Sequence, residues 1–153
     1  MDIVSILARQ EVFEGLSPQE LAVLARVMER EHFFAGEMIF EDTSPGEDLY
    51  VILSGKVAVQ LEAITPNETV VLSTISEGEI LGEFSIIDSE PRSATAVCLE
   101  DTEALVINGK RMHELFEKNH HIGYVVMRNM AKIICERIRR TNRRLIASLR
   151  KNV

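Results

Sequence analysis

Tryptophan is absent from these 153 residues, and Phe and Tyr number only six and two. That scarcity excludes the rows of aromatic platforms on which single-stranded nucleic acid stacks. No apolar run approaches the ~18 residues that a membrane-spanning helix needs. The first residues, Met-Asp-Ile-Val-Ser-Ile-Leu-Ala-Arg, lack the basic start and long apolar stretch of a secretory signal. A cytosolic protein away from membranes is expected. The two cysteines, Cys98 and Cys135, are isolated and without metal-ligand spacing, so two buried, reduced thiols are expected. His32, His113, His120 and His121 form no metal-binding pattern and are expected at the surface or at helix caps. Ser85 and Ser93 sit in no nucleophile elbow. With no hydrolytic or redox constellation, the sequence predicts a non-enzymatic protein without metal or cofactor.

What is present is a strong asymmetry of charge. The net charge is −7, yet residues 128–153 carry nine Lys/Arg against one acid, Glu136. The first 127 residues are correspondingly acidic. Arg139, Arg140, Arg143 and Arg144 cluster within that basic tail. They predict the exposed face of a dimer helix, or a contact with nucleic acid, an acidic partner or the acidic body of a second subunit, and no groove-reading motif accompanies them.

The hydrophobic pattern changes period twice. Ser17-Pro18-Gln19-Glu20 spells a capped helix start, and Leu21, Leu24, Ala25 and Met28 follow at helical spacing. A weaker helix is expected around Ile3 to Val12. From Glu31 to Ile107, short apolar runs alternate with turn residues such as Gly36, Ser44-Pro45-Gly46, Ser54-Gly55 and Thr65-Pro66-Asn67-Glu68. Seven or eight strands at this spacing imply a sandwich or barrel. The glycines at 36, 46 and 55 read as turn residues, and the methionines as core filler. After Asn108, a candidate cap, a short helix to about Glu117 and a long one from about His121 to Leu149 are expected. Ile122, Val126, Met130, Ile133, Ile134 and Ile138 form the apolar stripe of the long helix. The organisation expected is one domain: helical residues 1–30, strands over 31–107, and helices over 108–153.

One stretch breaks the strand rhythm: Gly82-Glu83-Phe84-Ser85, five residues, then Pro91-Arg92-Ser93-Ala94-Thr95. Its pattern predicts a strand that turns at Gly82 into one helical turn and returns through Pro91. The first amides of such a turn lack internal acceptors and attract an anion. Arg92 offers a planar fork suited to phosphate. Glu83 would repel phosphate but accept from a sugar hydroxyl. Amides, arginine and carboxylate together fit a ribose phosphate.

This segment resembles the phosphate-binding cassette of the cyclic-nucleotide-binding family, which includes catabolite activators and regulatory subunits of protein kinase A. Val12-Phe13-Glu14-Gly15-Leu16-Ser17, Phe34-Ala35-Gly36-Glu37-Met38-Ile39-Phe40 and Leu49–Val57 extend the resemblance to roughly residues 12–140. It implies a mainly β fold with flanking helices: an eight-stranded β-roll or jelly-roll barrel with N-terminal helices and a long C-terminal helix. It further implies that Glu83 accepts the ribose 2′-hydroxyl and that Arg92 pairs with the cyclic phosphate. Gly82, Phe84, Ser85, Ser93 and Ala94 would complete the cradle, and Val59 and Leu72 would touch the purine. Arg137 stands where a catabolite activator offers Thr to the base, and is expected to contact the base when the helix closes. The function implied is reversible cyclic AMP or cyclic GMP binding, signalled by the C-terminal helix. A homodimer through that helix and an unknown downstream protein partner are expected, without nucleic acid. The alternative is a ligand-free domain used for oligomerisation or docking. No helix-turn-helix follows within these residues.

Overall fold

Ser17 stops the incoming chain and starts a helix by a reciprocal pair of bonds. Its Oγ accepts from Glu20 N at 3.2 Å, and Glu20 Oε1 accepts from Ser17 N at 3.0 Å. The computed structural model describes residues 2–65 and 67–152; Pro66 of the expected turn lies outside them. Asp2 caps α1 (Ile3–Leu7). The helix expected from Ile3 to Val12 is broken, because Arg9 N and Gln10 N bond back three residues, to Ile6 O and Leu7 O. A 3-10 turn, Glu11–Phe13, follows, then α2 (Pro18–Ala25).

Eight strands come next: β1 (Met28–Phe33), β2 (Met38–Phe40), β3 (Leu49–Ser54), β4 (Lys56–Glu62), β5 (Thr69–Ser76), β6 (Ile80–Leu81), β7 (Thr95–Cys98) and β8 (Thr102–Ile107). Helix α3 (Glu83–Asp88) separates β6 from β7. Helices α4 (Gly109–Lys118) and α5 (His120–Lys151) end the chain, capped by Asn108 and Asn119. Strand β1 begins within the segment expected to be helical: Met28 pairs with Ile107, and the register runs to Phe33 opposite Thr102.

All pairings are antiparallel, in two four-stranded sheets ordered β1-β8-β3-β6 and β2-β7-β4-β5. Among the described residues the sheets do not join into a closed barrel, so the architecture is a roll. A short β6 and a three-residue β2 leave the closure to loops. Strand β3 is apolar at every position from Leu49 to Leu53 because both its faces are covered. Leu49 and Val51 meet the helices with Leu105, Ile107, Ile122, Val126 and Met130. Tyr50 and Ile52 point between the sheets with Val57, Ile75, Leu81 and Val106. The α5 stripe is thereby used as far as Ile133, whereas Ile138 is exposed.

Two expectations on reactive groups change. Cys98 is buried, and burial pushes its thiol above the ordinary value. Cys135, in contrast, is exposed, since it falls on the outward side of α5. His113 is half-buried rather than at the surface, and its Nε2 has no hydrogen-bond partner among the described residues.

Candidate ligand-binding site

Gly82 is the pivot of the cassette. It leaves β6 at φ +86°, ψ +12° and caps α3. A Cβ there would lie 2.7 Å from both Arg92 Nη1 and Asp48 O, so only glycine admits this approach. Helix α3 has six residues instead of the single turn expected. The returning chain is held by the loop before β3: Arg92 N donates to Ser44 O at 2.9 Å, and Thr43 N to Arg92 O at 2.8 Å.

Arg92 is 5% exposed. Its Nη1 donates to Gly82 O at 3.1 Å and its Nη2 to Asp48 O at 3.0 Å. Nε is buried without a hydrogen-bond partner among the described residues. The guanidinium lies over the Phe40 ring, 4.3 Å from its centroid. No carboxylate pairs with it among the described residues. Burial lowers its pKa from the ordinary value, opposed by Tyr50, Asp48 and Glu83. An arginine nonetheless stays charged.

Glu83, also buried, is treated differently. Its Oε1 accepts from Arg137 Nη1 at 2.6 Å. Arg137 Nη2 donates to Ile80 O at 2.7 Å, with Glu79 Oε2 3.9 Å away. The guanidinium expected to face a base is therefore engaged with the cassette. Glu83 Oε2 has no hydrogen bond among the described residues, and a carboxylate can accept more than one.

A cavity of about 290 Å³ opens between the cassette, β4, β5 and α5. All ten residues singled out from the sequence line it: Val59, Leu72, Gly82, Glu83, Phe84, Ser85, Arg92, Ser93, Ala94 and Arg137. The sequence reading missed others. Phe40 forms part of the wall, and so do Thr141 and Asn142, one turn beyond Arg137 on α5. Those two were legible only as the polar interruption between Arg140 and Arg143. Gly46 was read as a turn residue, yet a Cβ there would lie 3.3 Å from Arg92 Nη2, and its φ is +154°. The cavity thus has a buried cation at one end, a half-engaged carboxylate beside it, and an apolar and amide-bearing wall opposite. It is built for an anion that also carries hydroxyls and a flat apolar body.

A family model described as the cyclic nucleotide-binding domain matches residues 30–119. The chain belongs to the cyclic nucleotide-binding domain family. A CRP-like cAMP-activated global transcriptional regulator of Mycobacterium tuberculosis is 30% identical over 140 residues, covering 92% of this chain and 60% of the relative. The cyclic AMP receptor protein of Thermus thermophilus is 31% identical over 128 residues, or 84% of this chain and 57% of that protein. The chain therefore spans about 60% of the length of such relatives. Among solved structures, a cyclic nucleotide-binding domain from Methylobacillus flagellatus superposes with a TM-score of 0.83 at 25% identity, covering 95% of this chain and 82% of that one. The catabolite activator protein of Thermus thermophilus gives 0.76 at 29% identity, covering 90% and 62%. These relatives are regulators and binding domains. No helix among the described residues is long and apolar enough to cross a membrane.

Proposed function

We propose that the cavity reversibly binds a cyclic nucleotide, cyclic AMP first among those to test, and that the chain acts as a non-enzymatic sensor. The observation that carries the reading is Arg92, a buried cation lining the cavity, which no carboxylate neutralises among the described residues. An anion would supply that missing charge. In this reading Glu83 keeps Arg137 on Oε1 and accepts the ribose 2′-hydroxyl on Oε2. Val59 and Leu72 cover the purine, while Thr141 and Asn142 offer a hydroxyl and a carboxamide to its edge. A carboxamide can both donate and accept, which the guanidinium of Arg137 cannot. Cyclic AMP takes precedence because the two relatives at 30% and 31% identity carry it in their names. Calorimetric titration with cyclic mononucleotides and dinucleotides tests the reading. Cyclic AMP should bind, and Arg92→Ala should weaken it about 30-fold or more, the cost of removing one partner of a buried charged pair. Absence of binding by every nucleotide would sink it.

The output proposed is through α5, which reaches the cavity with Arg137 and continues beyond it. Ile138, Leu145 and Leu149 are exposed on one side of that extension, seven and four residues apart. A second copy of α5 would cover this seam in coiled-coil fashion. Sedimentation should give a dimer that Leu145→Lys dissociates; a wild-type monomer at tens of micromolar would refute it.

A further inference from the structure

A buried cation awaiting an anion poses a problem before the anion arrives. It must be held charged and in place, but by something that does not neutralise it. A carboxylate would hold Arg92 best and would also compete with the ligand. Among the described residues no carboxylate does so, whereas the face of Phe40 lies 4.3 Å from the guanidinium carbon. An aromatic face attracts a cation through its quadrupole and carries no net charge. Phe40 is itself held: its ring meets Tyr50 at 6.0 Å, and Tyr50 meets Phe33 edge-on at 6.2 Å. It also borders the cavity. The two backbone carbonyls, Gly82 O and Asp48 O, fix the ends of the guanidinium fork. Besides these carbonyls, the Phe40 ring and the backbone at Gly46 pack against the guanidinium.

We propose that Phe40 is a positioning residue for anion recognition: its ring supports the Arg92 guanidinium face-on and sets the plane in which the free donors meet the phosphate. This rests on the cavity being a cyclic nucleotide site. Phe40 acts on the ligand through Arg92, and its share of the affinity comes from the electron density of the ring rather than from bulk. A hydrophobic residue of similar size would fill the space without supplying that support.

The test replaces Phe40 by mono-, di- and trifluorophenylalanine, which drain the ring face while nearly conserving its volume, with Phe40→Leu and Phe40→Tyr beside them. Cyclic AMP affinity should fall stepwise with fluorination, by at most about 30-fold, the whole of a desolvated cation–π contact, because the ring contact is already present without ligand. Phe40→Tyr should stay near wild type and Phe40→Leu should match the weakest fluorinated form. Independently, in the ligand-free protein the Arg92 side-chain NMR signals should be shifted upfield by the ring and return to ordinary values in Phe40→Leu. Equal affinity across the fluorinated series, with wild-type binding intact, would overturn the proposal. So would unshifted Arg92 signals. If wild-type protein binds no nucleotide, the functional reading fails, and the NMR shift still decides whether Phe40 supports Arg92.

Discussion

Removing Arg137 strips Glu83 of the one charged partner it has within hydrogen-bonding distance among the described residues. The side chains of Arg137 and Glu83 are 22% and 8% exposed, so solvent replaces little of what is lost. Breaking a buried pair by deleting one member costs about 3–5 kcal/mol, and a hydrogen bond to a charged group is worth about 1.5–3. Because Arg137 keeps some contact with water, Arg137→Ala should lie near the lower end, about 3 kcal/mol. At this chain length that is a fall of about 6–12 °C in melting temperature. Glu83→Gln retains an acceptor for Arg137 and should cost less. Urea unfolding of the wild type, both single variants and the double variant closes a cycle, valid provided the denaturant slope is unchanged. The double variant should be more stable than the sum of single losses implies, by about 1.5 kcal/mol or more. Additivity within about 0.5 kcal/mol would show that the two groups do not interact, and that the 2.6 Å contact contributes nothing.

Gly82→Ala should destabilise the fold by more than the ~1–2 kcal/mol of a left-handed residue alone, since its Cβ would displace Arg92; loss of nucleotide binding by calorimetry is the readout, and wild-type binding would refute the close approach. Glu20 links α2 to α5 through His121 Nδ1, 2.5 Å from its Oε2. The bond to His121, then that to Ser17 N, hold its carboxyl below the ordinary value of 4.5. The folded value lies below the unfolded one, so the stability it adds is present above that value and lost as pH falls through the folded one. Wild type should therefore lose more stability than Glu20→Gln as the pH drops below 4.5, measured by chemical denaturation; parallel curves would exclude the link.

The β-rich body, the capped helix α2 and the cassette were legible because each follows a local rule: alternation, a capping box, a glycine turn followed by Pro-Arg-Ser. The start of β1 was not. Met28 continues the helical spacing of Leu21 and Leu24, and it becomes strand because β8 pairs with it from 79 residues away. The partners of Arg92 were equally hidden. Asp48 and Gly82 hold it through carbonyls, and every residue type carries a carbonyl. Gly46 and Phe40 come from a loop and an edge strand more than forty residues upstream. Thr141 and Asn142 lie on a helix whose phase against the roll depends on packing. Arg137, one turn earlier on the same helix, lines the cavity with them.

The opposite treatment of Glu83 and Arg92 bears on how a ligand could move α5. Glu83 already has its counter-ion, Arg137 on the helix; Arg92 has no carboxylate partner among the described residues. An anion arriving at Arg92 therefore breaks no ion pair, and a hydroxyl on Glu83 Oε2 leaves Oε1 with Arg137. Under the proposed function, binding would add contacts between cassette and helix without exchanging any. A ligand that favours the closed arrangement stabilises it by RT ln(1 + [L]/Kd), about 2.7 kcal/mol at one hundred times Kd. That should appear as slower amide exchange over residues 121–138, up to about a hundredfold in sites that open with the helix. Arg137→Ala should bind more weakly and lose most of this protection, because the helix then has no charged tie to the cassette. Faster exchange of α5 on adding cyclic AMP would mean that the ligand takes Glu83 from Arg137 and releases the helix, and the additive picture would be wrong.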